Sequence, residues 1–108
     1  MKRSETKRLD KEWSYKVRSH FHFQCQVCGH VKNRNHAHHI IPKHANKDLR
    51  HDIRNGICLC FRCHKVGPLA AHQNALFFNK WLRKNHNAQW KWCMIKGGIT
   101  NGRTETTE

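Results

Sequence analysis

Apolar residues along this chain come in short clusters separated by basic and polar stretches. Trp13, Val17 and Phe21 recur every four residues, which predicts a short helix over about 10–21 with Asp10 as its cap. Residues 1–9, polar and basic, read as a flexible arm ahead of it. Cys25-Gln26-Val27-Cys28-Gly29 reads as a tight knuckle. Ala37 to Ile41, closed by Pro42, suggests a strand, and Ile57-Cys58-Leu59-Cys60 its return partner. Between them, residues 43–55 have few apolar anchors and read as a functional loop. A helix is expected near Phe61, carrying Cys63 and His64 and ending by Gly67-Pro68. Gln73 to His86 has Leu76, Phe77 and Trp81 at helical spacing, which predicts an amphipathic helix. Trp90, Trp92, Met94 and Ile95 suggest a last short element packing back. Residues 10–96 are thus expected to form one domain, and 97–108 a disordered tail.

Composition adds a constraint on stability. Only 37% of the 108 residues are hydrophobic, and so small a domain buries a modest core. The six cysteines are the obvious additional source. The charged N-terminus lacks the apolar stretch of a signal peptide, and no apolar run approaches the roughly 20 residues that span a bilayer. A cytoplasmic setting is expected, where paired cysteines bind metal more often than they cross-link. Twenty-one Lys and Arg against seven Asp and Glu give a formal charge of +14, which favours a polyanionic partner over a membrane.

Cys25-x2-Cys28 and Cys60-x2-Cys63 are two chelating pairs. Each gap lets both thiolates reach one tetrahedral ion, so the two pairs predict a closed, structural four-thiolate zinc site. Cys58 and Cys93 are left over and read as core residues. Eleven histidines are present, and placement matters more than number. His38 and His39 lie between the cysteine pairs, and strand neighbours point to opposite sides, so they are not redundant ligands. His64 directly follows Cys63, and zinc there would aim it at the strand pair. His20, His22, His30, His36, His44, His51 and His86 read as surface or satisfied core residues.

The pattern Cys-x2-Cys, His-His-Ile-x-Pro, then Asn-Gly-Ile-x-Leu-Cys-x2-Cys-His resembles the HNH endonucleases, especially short four-cysteine members found in bacteriophages and prophages. The resemblance runs from about Cys25 to His72 and implies an α+β fold: a small ββα-metal (His-Me finger) unit with flanking helices, stapled by zinc. It implies that His38 ligates the catalytic metal and that His39 is the general base. It further implies that Asn55 orients the base-bearing loop or, as in some members, ligates the metal, and that His64 is a ligand. His72 falls where some members, including colicin-type nucleases, carry a further histidine ligand, but its eight-residue spacing from His64 is longer.

Phosphodiester hydrolysis needs an activated water and neutralised phosphoryl oxygens, and a neutral imidazole can accept the proton. Imidazole-rich coordination suits Zn, Ni, Co or Mn more naturally than Mg, but leaves the catalytic divalent ion open among Mn2+, Ni2+, Mg2+ and Zn2+. Lys43, Lys47, Arg50 and Arg54 are expected to contact phosphates of double-stranded DNA, with Lys2, Arg3, Lys7 and Arg8 gripping backbone outside the site. The expectation is a nicking or double-strand-cleaving DNA endonuclease, monomeric or weakly dimeric, in a bacterial host cell, in possible association with other phage DNA-processing proteins. The rival is a non-catalytic zinc-ribbon DNA-binding module, which would not require the set His38, His39, Asn55 and His64.

Overall fold

The computed structural model describes residues 2–97. The first helix, α1 (Arg3–His20), starts a full two turns before Asp10, so the segment expected as an arm is helical. The reason lies in its composition. Residues 3–11 contain no glycine or proline, are rich in Lys, Arg and Glu, and Arg8 bridges Glu5 and Glu12 on successive turns. Trp13 and Val17, one turn apart, form the buried face. The helix ends where His22 and Phe23 take left-handed backbone angles, φ 55° and 57°. This turns the chain into the knuckle of Cys25 and Cys28, where Gly29 at φ 81° closes a second tight turn.

Two antiparallel strands follow, β1 (His36–His39) and β2 (Gly56–Leu59), paired His36 to Leu59, Ala37 to Cys58, His38 to Ile57 and His39 to Gly56. Facing residues share a side of the sheet. His36 and His38 therefore lie with Ile57 and Leu59, while His39 lies with Gly56 under α1. Gly56 cannot carry a side chain there: a Cβ would stand 2.5 Å from Val17 and 2.7 Å from Trp13. The strand expected to run to Ile41 stops at His39, because the Asn55 side chain takes over the pairing of Ile41.

The loop between the strands contains two short 3-10 turns, Lys47–Leu49 and Ile53–Asn55, capped by Asn46 and Asp52. After β2, a single wide π-helical turn spans Arg62–Val66. The chain then folds back, the amides of Ala71 and His72 bonding to the carbonyls of Cys63 and His64 at 2.9 and 3.0 Å. Helix α2 (Ala75–Asn85) is capped by the Asn74 side chain on the Phe77 amide. Its buried face is Phe78 and Leu82, packed with Ile57, Leu59, Ala71 and Cys25. Leu76 and Phe77, expected on that face, point outward, Leu76 with 68% of its surface exposed. Helix α3 (Asn87–Lys96) closes the other side, with Cys93 buried and Gln89 donating to the carbonyls of Arg54 and Gly56. No described helix is long and apolar enough to cross a membrane. Apart from Gly97, the tail expected over 97–108 lies outside the described residues.

Candidate active site

The Sγ atoms of Cys25, Cys28, Cys60 and Cys63 lie within 4.8 Å of one another, and Cys28 and Cys60 are 3.6 Å apart. With Zn–S bonds of about 2.3 Å, a tetrahedral edge is about 3.8 Å, so the cluster fits one ion. The Gln26 amide donates to Cys58 O at 3.0 Å, tying the knuckle to β2. The Cys63 amide points at Cys60 Sγ. Cys58 and Cys93 are buried elsewhere, and burial raises their thiols to about 11 and about 12.

On the opposite side of the π turn, three imidazoles converge. His64 Nε2 lies 3.1 Å from His38 Nδ1 and 3.0 Å from His72 Nε2. These three atoms form the second metal-capable cluster among the described residues. A single ring proton cannot serve both contacts of His64 Nε2. Moreover, His64 Nδ1 is 2.8 Å from His36 Nδ1, and when His64 is the donor of that contact its Nε2 is left as a lone pair. In that tautomer the three nitrogens could hold one cation, since metal–nitrogen bonds of about 2.0–2.1 Å would set edges near this length. Burial pushes His38 and His64 down from 6.5 to about 3, and lowers His72 and His36, so the rings are held neutral. His36, read from sequence as ordinary, is therefore the outer partner that orients His64. Its two-residue offset from His38, which puts both on one strand face, was the available signal.

His39 faces the other way, onto α1. Its ring stacks on Trp13 with centroids 3.7 Å apart and planes 11° from parallel. His39 Nε2 is 2.8 Å from the Arg50 carbonyl oxygen, an acceptor only, so Nε2 carries the proton and Nδ1 the lone pair. Burial lowers this imidazole below its usual 6.5. Although His38 and His39 diverge, both line one cleft of about 610 Å³, together with His64, His72, Lys43 and Lys65.

Asn55 is fully buried and occupied by backbone. Its Oδ1 accepts from the Ile41 amide at 2.6 Å, and its Nδ2 donates to the carbonyls of Ile41 and Leu49 at 3.0 and 3.1 Å. It joins the two ends of the loop.

An HNH endonuclease family model matches residues 25–66. No curated protein and no solved structure matches the chain significantly. The matched stretch holds the four clustered cysteines, Cys58, and His36, His38, His39, Asn55 and His64. The small α+β architecture, with its two-stranded sheet, flanking helices and clustered cysteines, is consistent with the HNH fold. His72 and all of α1 lie outside the match.

Within the matched segment, the loop cations separate into two groups. Arg50 is held bidentately by Asp10 at 2.9 and 2.7 Å, and His51 also contacts that carboxylate. Arg54 is paired with Asp52 and lies 4.3 Å over the Trp92 ring. Both guanidinium groups, expected on phosphates, thus have carboxylate partners within the protein, and the Arg54 side chain stays largely exposed. Their carboxylate partners are distant or adjacent positions whose pairing the sequence does not announce. Lys43 stays at the cleft, Lys47 starts the first 3-10 turn outside its lining, and Lys65, unforeseen from sequence, joins Lys43 there.

Proposed function

We propose that this chain is a metal-dependent DNA endonuclease that hydrolyses phosphodiester bonds, with His39 as general base. The observation that carries this reading is one cleft combining three inward imidazole nitrogens with a histidine whose proton position is fixed by a backbone carbonyl. The HNH match over residues 25–66 supports nuclease chemistry in general and DNA as partner.

In the proposed reaction, water attacks phosphorus and gives its proton to His39 Nδ1. The bond to the leaving oxygen breaks, and that oxygen is protonated as product forms. The carbonyl of Arg50 holds the imidazolium through Nε2–H, and Trp13 fixes the ring plane. His38, His64 and His72 would hold the divalent ion, which supplies charge stabilisation for the phosphoryl and leaving oxygens. Lys43 and Lys65 add positive charge at the rim. Asn55 acts as the loop clamp and not as a ligand: its Oδ1 and Nδ2 are already engaged with backbone groups of Ile41 and Leu49.

One such site per chain favours nicking, and the short phage-type members that the sequence resembles suggest a role beside other DNA-processing proteins. The four-cysteine cluster suits a DNA-binding zinc module equally well, but such a module has no use for the imidazole cluster. Zinc-loaded protein incubated with supercoiled plasmid and added Mn2+, Ni2+ or Mg2+ separates the two. Relaxed circles are the expected product, and intact plasmid in every ion would refute the reading.

A further inference from the structure

Phe61 is an unusual residue for its position. It sits between two zinc-site cysteines, Cys60 and Cys63, on a turn that the metal would make rigid, yet 58% of its surface is exposed. Its ring meets that of His36 edge-on, at 5.9 Å and 68°. It borders a cleft of about 630 Å³ that includes His36, Cys28 and Cys60 and is walled by Lys32, Arg34 and Arg62. That volume lies within the roughly 300–1,000 Å³ of ligand sites.

The charge distribution favours one class of occupant. The chain has no Asp or Glu between residues 13 and 47 or between 53 and 97. Of the five carboxylates in the described residues, Glu5, Asp10, Glu12 and Asp52 are paired with Arg8, Arg50 and Arg54. Lys32, Arg34 and Arg62 thus outweigh the one anionic group on the wall, the zinc tetrathiolate that Cys28 and Cys60 would help form, formally −2, and net cationic surfaces concentrate polyanions. A rigid exposed aromatic inside a cationic groove is the arrangement that binds nucleotides of a single strand, phosphates on the cations and a base on the ring. His36 links the two clefts: its ring is 5.9 Å from Phe61 and 5.0 Å from His64. A strand lying on the metal-facing imidazoles would reach Phe61 within a nucleotide or two.

We propose that Phe61, with Lys32, Arg34 and Arg62, is a stacking platform for an unpaired base of the cleaved DNA strand beside the scissile phosphate. The inference rests on the endonuclease reading and sharpens its substrate class, to DNA with unpaired nucleotides next to the cut. The test compares a fully paired duplex with the same duplex carrying a short unpaired stretch, using zinc-loaded full chain. Wild type is expected to show the lower KM on the unpaired substrate. Phe61→Ala should raise that KM about 5- to 150-fold, the range of one lost base stack, with kcat within about twofold. Phe61→Trp should restore it. A 2-aminopurine in the unpaired stretch should change fluorescence on binding wild type and not Phe61→Ala. Replacing Lys32, Arg34 or Arg62 by Ala should each flatten the log-log salt slope by about 0.7. Equal KM values for Phe61→Ala and wild type, with no difference in fluorescence, would overturn the platform. If no DNA is cut at all, the endonuclease reading fails, while the fluorescence comparison still decides on the platform.

Discussion

Replacing Asn55 by Asp changes two donors into acceptors without altering side-chain shape. Oδ1 can still accept from the Ile41 amide, but the carbonyls of Ile41 and Leu49 lose the Nδ2 donors that now stand at 3.0 and 3.1 Å. The Ile41 carbonyl left without its partner costs about 1–3 kcal/mol, the Leu49 carbonyl keeps the Asp52 amide at 3.3 Å, and a carboxylate in the same fully buried position adds a desolvation cost of about 2 kcal/mol. The sum is about 3–5 kcal/mol, a large part of the stability of a domain this size. Urea unfolding of the zinc-loaded protein, followed by tryptophan fluorescence, reads the loss directly. Calorimetric titration of a second divalent ion, under conditions where the variant remains folded, reads the histidine cluster separately. The clamp assignment predicts a much lower unfolding midpoint with second-ion affinity within about threefold of wild type. Unchanged stability with markedly tighter ion binding would refute it, since a carboxylate in place of an amide strengthens a ligand, not a loop clamp.

Three further outcomes follow from the same geometry. Cys60→Ser removes one of four clustered thiolates, and because structural zinc contributes on the order of 10 kcal/mol to folding, the variant should lose its cooperative melt; an unchanged Tm would count against the four-cysteine site. Burial lowers His39 below 6.5, and a base works when neutral, so kcat/KM should rise with pH through a midpoint below 6.5 and be flat above about 7; a midpoint above 7 in non-coordinating buffers would contradict this. Arg50 holds Asp10 down from 3.8 to about 2, so the ion pair contributes stability above pH 3.8 that fades as pH falls toward 2. Asp10→Asn should therefore cost about 1 kcal/mol at pH 7, allowing for solvent screening at this partly exposed group, and only a small fraction of that at pH 2; an equal loss at both pH values would assign the cost to packing.

Local chemistry was the legible part of this chain. The two-residue gaps between cysteines are short-range constraints, and they point to one metal whatever the rest of the fold does. The alternation of His38 and His39 across a strand follows from strand geometry alone, and the structure uses both sides. What sequence spacing does not carry is contact between remote segments. Trp13 meets His39, and Asp10 meets Arg50, only because Gly56 has no side chain where α1 crosses the sheet. The return of His72 to His64 depends on two backbone hydrogen bonds after Gly67-Pro68, which no residue pattern advertises. The same limit explains α2. Leu76 and Phe77 have the hydrophobicity expected of a buried face, but the neighbours available to pack against select Phe78 and Leu82. The early start of α1 shows the reverse: a charged, polar stretch forms helix on propensity and pairing, with almost no burial before Trp13.

The His38, His64 and His72 cluster and His39 are assigned different tasks in one cleft, and separating those tasks is the most direct test. Two variants, His64→Ala and His39→Ala, can be compared with wild type for bound divalent ions per chain and for plasmid cleavage in the same buffer. The account predicts two ions and cutting for wild type, one ion and no cutting for His64→Ala, and two ions without cutting for His39→Ala. A His39→Ala protein that cuts as fast as wild type, or a His64→Ala protein that still binds two ions, would contradict it.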